Sequence, residues 1–169
     1  MYNKILVIGC PGGGKSTFAR RLRDIMGLPL YYLDMIWHKA DKTTVSQEEF
    51  DSRLDEIMKS DEWIIDGNYK KTLEKRLEKC ECVFCLDYPT ELCLESIKSR
   101  IGNPREDMPW IETELDEEFF EYVRNFNITQ RDRIVDLLDK FKEKNIIVFH
   151  SREESEIFLN DLKECKKCR

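Results

Sequence analysis

The sequence predicts an α/β layered domain built on a mainly parallel sheet. Three observations predict it. Short apolar runs alternate with amphipathic stretches, the pattern of strands that cross over through helices. The first apolar run leads directly into a glycine-rich turn ending in Lys-Ser, which opens a helix. The length, 169 residues, suits one domain of roughly 150 residues with a core of its own.

Taken in order, residues 4–8 read as a buried strand. Residues 16–26 read as a helix with Phe18, Leu22 and Ile25 on one face. Residues 30–33 are a second strand. Ser46-Gln47-Glu48-Glu49 is a capping box that opens a helix whose core stripe is Phe50, Leu54, Ile57 and Met58. Residues 63–66 are a third strand, 69–79 a helix and 83–87 a fourth strand. Pro89 and Thr90 start a helix running to about residue 100. Residues 101–110 hold Gly102, Pro104 and Pro109 without periodicity, and form a loop. Two helices follow, signalled by Thr113-Glu114-Leu115-Asp116 and Thr129-Gln130-Arg131-Asp132. Residues 146–149 are the fifth strand, and Ser151-Arg152-Glu153-Glu154 caps the last helix. No repeat, low-complexity tract or linker divides the chain, so residues 1–169 form a single domain. The tail from Lys163 reads as a frayed end.

Composition removes several classes of function. Apolar residues make up 41% of the chain and aromatics 11%, too many for a disordered acidic protein. The 28 Lys and Arg against 34 Asp and Glu give a net charge of -6. That balance argues against direct DNA binding, which depends on neutralising phosphates. No stretch approaches the ~18 apolar residues of a membrane span. The six-residue apolar run 5–10 is too short for a secretion signal, so a cytoplasmic protein without membrane partners is expected. The cysteines are Cys10, Cys80, Cys82, Cys85, Cys93, Cys165 and Cys168. An odd count of seven in such a chain favours free thiols over a disulfide framework. Cys82-x-x-Cys85 and Cys165-x-x-Cys168 have the spacing of zinc half-sites. However, Cys82 and Cys85 fall in a strand, where residues three apart face opposite ways.

The chemistry concentrates at Gly9-Cys10-Pro11-Gly12-Gly13-Gly14-Lys15-Ser16, which matches G-x-x-x-x-G-K-[ST] at every fixed position. Glycines let backbone N–H groups turn inward around a phosphate, and the helix N-terminus adds partial positive charge. Lys15 then reaches the β- and γ-phosphates, Ser16 ligates Mg²⁺ and Thr17 follows on the helix. ATP and Mg²⁺ are therefore the expected cofactors. The GTPase signatures are absent in their proper places. Asp24-Ile25-Met26-Gly27 closes the first helix, and His38-Lys39-Ala40-Asp41 lacks the Asn or Thr that reads guanine. No LSGGQ signature is present, and the chain is short for a motor ATPase. What remains is a small kinase, with ATP on the P-loop and an acceptor opposite.

Candidate partners follow from the other strand ends. Asp66 closes the third strand, where a carboxylate can hold Mg²⁺ through water; the alternative is a turn-forming Asp-Gly. Asp34 closes the second strand and is followed by Trp37, either an acceptor wall or a core residue. Asp87 is punctuation before Pro89. Arg100 and Arg105 lie on the 101–110 loop or its edge, with Arg124, Arg131 and Arg133 on later helices. Mobile arginines can neutralise a transferring phosphoryl group. Arg100 and Arg131 are the expected catalytic pair, alongside Lys15 and Asp66.

The segments GCPGGGKSTFARRL, LPLYYLDMIW, WIIDGNY, FCLDYPTELCLES, REDMPWIETELDEEFFEYVRNF and SREESEIFL together resemble the adenylate-kinase-like P-loop proteins of the DNA topology modulation (FlaR-related) family. The resemblance runs from the first strand to the last helix. It implies a nucleotide-kinase-like fold: a five-stranded parallel sheet flanked by helices, an acceptor-side helical segment at about 35–60 and a lid at about 100–113. It places Asp34 and Asp66 toward acceptor and magnesium. Tyr69 and Lys70 fall in the acceptor region, Lys70 where adenylate kinases carry a phosphate-binding arginine. His150-Ser151-Arg152 falls on the loop that contacts adenine. Two departures stand out. Gly-Asn-Tyr-Lys follows Asp66 where Gly-Phe-Pro-Arg is typical, and Arg53 is the single arginine between residues 35 and 59. Both put AMP in doubt as the acceptor. The expected function is transfer of the ATP γ-phosphoryl group to a nucleotide-like or other small acceptor. The rival is an ATP-binding regulator of DNA topology or gene expression without such transfer.

Overall fold

The computed structural model describes residues 2–167. Five strands form one parallel sheet in the order β2-β3-β1-β4-β5. They are β1 (Lys4–Gly9), β2 (Leu30–Tyr32), β3 (Trp63–Asp66), β4 (Cys82–Leu86) and β5 (Asn145–Phe149). The three inner strands are apolar and buried almost throughout, as expected when helices cover both faces of a sheet. β1 lies at the centre. The chain leaves it in one direction for β2 and β3, then crosses to the other side for β4 and β5. The P-loop thus opens at the point where the strand order reverses, where α/β sheets bind their ligands.

The helices are α1 (Lys15–Met26), α2 (Leu33–Trp37), α3 (Gln47–Lys59), α4 (Lys70–Lys79), α5 (Thr90–Ser99), α6 (Glu117–Arg124), α7 (Phe126–Thr129), α8 (Arg131–Lys140) and α9 (Arg152–Lys167). In α1, Phe18, Ala19 and Leu22 are buried while Ile25 is half-buried. Gly27 ends it with φ 76°, its N–H donating to Arg23 O at 2.7 Å. The Asp24–Gly27 pattern is therefore a helix stop. Ser46 caps α3 by accepting the Glu49 N–H at 3.1 Å. Ser151 accepts the Glu154 N–H, and Glu154 in return accepts the His150 N–H at 2.7 Å.

Three boundaries differ from expectation. β2 stops at Tyr32, because as an edge strand it pairs only Leu30–Tyr32 with β3. Leu33 then turns fully inward and α2 begins, so Asp34 sits in the first turn of a helix and not at a strand end. The cap of α6 is Asp116, which accepts the Phe119 N–H at 2.9 Å, and not Thr113. A carboxylate there also meets the positive end of the helix dipole. Thr129 ends the four-residue α7, its hydroxyl donating back to Asn125 O, and α8 starts two residues later.

Cys10, Cys80, Cys82, Cys85 and Cys93 are buried free thiols and Cys165 is exposed. Cys168 and Arg169 lie outside the described residues. Among the described residues, no group of three or more His, Cys, Asp or Glu side chains is placed to hold a metal. No helix among them is long and apolar enough to cross a membrane.

Candidate active site

The P-loop is shaped by its glycines. Gly9 adopts φ 138°, and a Cβ there would lie 2.2 Å from Leu86 O of β4. Gly12, at φ 81°, would meet Cys93 O of α5 at 2.4 Å. Only glycine allows the loop to wedge between these backbones. The Gly13 N–H and Lys15 Nζ both donate to Cys10 O, at 3.0 and 3.2 Å. The lysine thus folds back over the loop and lines the space in front of it.

That space is a cavity of about 320 Å³. Pro11, Gly12, Gly14, Lys15, Ser16 and Thr17 form its floor. Tyr32, Asp34, Asp66 and Gly67 form one wall, Ser96 and Ser99 of α5 another, and Arg152 closes the far end. Arg100, Arg105, Asp107, Met108 and Glu112, from the end of α5 and the loop before α6, complete its lining. The Gly102 N–H donates to Glu112 O at 2.7 Å and draws the ends of this loop together.

Within the cavity the Ser16 hydroxyl lies 2.6 Å from Asp66 Oδ2. Burial pushes the Asp66 carboxyl up to about 6, opposed by the nearby Lys15 ammonium. Its other oxygen, Oδ1, is buried with no partner. A folded-state pKa above the ordinary 3.8 means the folded protein holds this proton more tightly than the unfolded chain. The contribution to stability is present below pH ~4 and is lost as pH rises through about 6. In divalent-free buffer, Asp66→Asn is therefore expected to raise stability at pH 7.5 by about 1–3 kcal/mol, and the gain should vanish below pH ~4. Urea unfolding across that pH range measures it. A gain independent of pH would refute the burial account.

Asp34 is held by the Tyr69 hydroxyl, which donates to its Oδ1 at 2.8 Å. Tyr69 itself takes a left-handed conformation, φ 33°. Arg76 of α4, fully buried, holds that turn: its guanidinium donates to the carbonyls of Gly67 (2.7 Å), Asn68, Tyr69 (3.1 Å) and Thr72 (3.3 Å). Burial pulls the guanidinium pKa below its ordinary value. Asn68 bridges back to the P-loop, accepting the Gly9 N–H at 3.0 Å and donating to Gly9 O at 2.8 Å. Neither Arg76 nor Asn68 was expected from the sequence. A lone arginine in a helix dominated by Lys and Glu carries no periodic signal, and Asn in a turn reads as local punctuation.

Several expected residues lie elsewhere. Arg131 does not reach the cavity. It forms a bidentate pair with Asp87 at the end of β4, Nε to Oδ1 at 2.9 Å and Nη2 to Oδ2 at 2.8 Å. The burial of Ile134 and Leu138 fixes α8 over that side of the sheet, which sets where its first residue points. Arg124 pairs with Glu121 on its own helix. Arg105 lines the cavity together with Arg100. Trp37 packs edge-on to Phe50 and Tyr69, at 5.5 and 6.2 Å between ring centres, behind the wall that Asp34 forms. Lys70 is exposed outside the cavity. Ser151 caps α9, while Arg152 lines the cavity and its Nη2 donates to Ser96 Oγ at 2.6 Å.

A central parallel sheet flanked by helices, with a P-loop at its switch point, defines an α/β fold of nucleotide-kinase type. Known proteins resemble the chain in two ways. The chain is 33% identical over 92 residues to an adenylate kinase of Thermotoga maritima, and 29% identical over 106 residues to one of Thermosipho melanesiensis. These alignments cover 53% and 58% of this chain and 41% and 48% of the relatives. The chain thus spans less than half the length of the curated relatives it matches. Among solved structures, a shikimate kinase from Bacteroides thetaiotaomicron superposes with a TM-score of 0.60 at 13% identity, covering 99% of both chains. A shikimate kinase from Acinetobacter baumannii, solved with shikimate, gives 0.59 at 18% identity, covering 97% of this chain and 94% of that one. No family model matches the chain.

Proposed function

We propose that the protein is an ATP-dependent small-molecule kinase. One observation carries the reading: the P-loop lysine and serine, a buried carboxylate, a second carboxylate and two lid guanidiniums line one cavity. The resemblance to adenylate kinases over half the chain supports it. The P-loop N–H groups and Lys15 bind the ATP phosphates. Ser16 and Asp66 fit Mg²⁺: a hydroxyl and a carboxylate with an unpartnered buried oxygen are hard donors, and this ion keeps most of its waters. When bound, it neutralises charge on the phosphate oxygens. Arg100 and Arg105 line the same cavity as Lys15 and on this reading meet charge on the transferring group, with the 101–110 loop limiting the access of water to it.

The acceptor is a small molecule offering a hydroxyl. Asp34 lines the cavity and has one oxygen fixed by Tyr69, which leaves the other to accept a hydrogen bond from the acceptor and take the hydroxyl proton as the phosphoryl group leaves ATP. A phosphate on the acceptor finds no cation on this wall among the described residues. Arg53 is bound to Glu49 on the exposed face of α3, and Lys70 lies outside. An ADP-release assay with ATP, Mg²⁺ and separate panels of polyhydroxy compounds and nucleoside monophosphates tests this. Stimulation by the first panel is expected. ADP release that no acceptor accelerates would replace the kinase by an ATPase. Asp34→Asn is expected to lower kcat/KM for the acceptor by about 10²-fold or more with ATP affinity unchanged. An equal loss of ATP affinity would remove the acceptor role.

The regulator of DNA topology suggested by the sequence resemblance has no structural observation in its favour. Its basic cluster, Lys163, Lys166, Lys167 and Arg169, lies partly outside the described residues, and Lys166 is engaged with Met26 O at 2.8 Å.

A further inference from the structure

The lid carries a carboxylate that no phosphate-binding pattern assigns. Asp107 is buried, 7% exposed, although it stands in an irregular loop. Its Oδ2 lies 3.1 Å from Ser16 Oγ, and Asp66 Oδ2 lies 2.6 Å from the same atom. A serine hydroxyl has one hydrogen, so it can donate to only one of these oxygens at a time. Two buried carboxylates therefore converge on a single donor, with Asp66 Oδ1 left buried and unpartnered in a residue that is 5% exposed and lines the cavity. Arg20 stands 3.7 Å from Asp107 Oδ1 and Arg105 3.8 Å from Oδ2, ion pairs that offset part of its charge but are too long to give either oxygen a hydrogen bond. Two like charges brought together around one hydroxyl are repulsive unless a proton or a cation lies among them.

We propose that Asp107 is a ligand, direct or through water, of the divalent cation held by Ser16 and Asp66, so that the lid closes onto the metal. The inference rests on the kinase reading of the P-loop and adds a coupling to it. A cation bound by residues of the P-loop and the lid together favours the closed lid, and a closed lid binds the cation more tightly by the same factor. Other contacts guide the loop without needing metal. Glu106 meets Arg23 Nη1 at 3.2 Å and the Tyr32 hydroxyl at 3.4 Å, and Trp110 lies edge-on to His38. These orient the lid, and the cation fastens it.

The test uses Mn²⁺ as the probe, with the full chain and a non-hydrolysable ATP analogue. Free Mn²⁺ is measured by electron paramagnetic resonance, and amide exchange is followed across residues 100–113. In the wild type, Mn²⁺ is expected to slow exchange in that segment beyond the effect of the analogue alone. Asp107→Asn should weaken Mn²⁺ binding about tenfold or more and remove the extra protection, with metal-free melting as the check on folding. Arg20→Gln, which removes a cationic neighbour of Asp107, should keep wild-type Mn²⁺ affinity. If Asp66→Asn loses Mn²⁺ while Asp107→Asn binds it as the wild type does, the lid role is overturned and the P-loop reading stands. If the analogue-bound wild type shows no Mn²⁺ binding, both fall. Equal protection of the lid with and without Mn²⁺ overturns the coupling independently of any variant.

Discussion

Lys15→Ala is expected to lower phosphoryl transfer by about 10³-fold or more while leaving the fold intact. The ammonium is the one cation supplied by the P-loop itself, and in this structure its single hydrogen bond is to Cys10 O. Stability should change little, because a half-exposed lysine with one backbone contact contributes little to folding. Single-turnover ADP formation, read beside a melting curve, separates the two effects. Transfer within tenfold of the wild type would remove Lys15 from the catalytic machinery and with it the phosphate site.

Arg76→Met is expected to cost a large part of the fold's stability. The substitution keeps bulk and removes four carbonyl contacts at once. Uncompensated carbonyls and the relaxed turn together predict a loss of about 3–5 kcal/mol. Arg76→Lys should not restore it, because an ammonium cannot present the planar fork that spans Gly67 O to Tyr69 O. Urea denaturation measures both. A loss below about 1 kcal/mol would mean that the 67–69 turn is held by other contacts.

The legible part of this molecule was what repeats or what stands at fixed spacing. β1, β3 and β4 are apolar runs covered on both faces, and the lysine and serine of the P-loop follow the glycines that free its backbone. Capping at Ser46 and Ser151 is local chemistry and was read correctly. Asp107 was not singled out, and Arg105 was weighed with Arg100 but left out of the expected pair, because the 101–110 loop has no periodicity and its geometry comes from contacts with residues more than seventy positions away, such as Ser16 and Tyr32. Arg131 looked equivalent to Arg100 in sequence. What separates them is that Asp87 ends β4 beside the start of α8, a meeting only the sheet order creates. Trp37 shows the same limit: the sequence left wall and core open, and its packing on Phe50 decided for the core.

The bridge from Asn68 to Gly9 has a consequence for how the protein works in time. Donor floor and acceptor wall share a pair of hydrogen bonds, and Arg76 stiffens the turn between them. β1 and β3 are also paired directly, so these two sides of the cavity are tied together as one unit. On the kinase reading proposed above, donor and acceptor would then enter past the 100–113 segment, whose residues line the same cavity. Turnover of such an enzyme would be paced by the rise of that segment, as in other enzymes with covering loops.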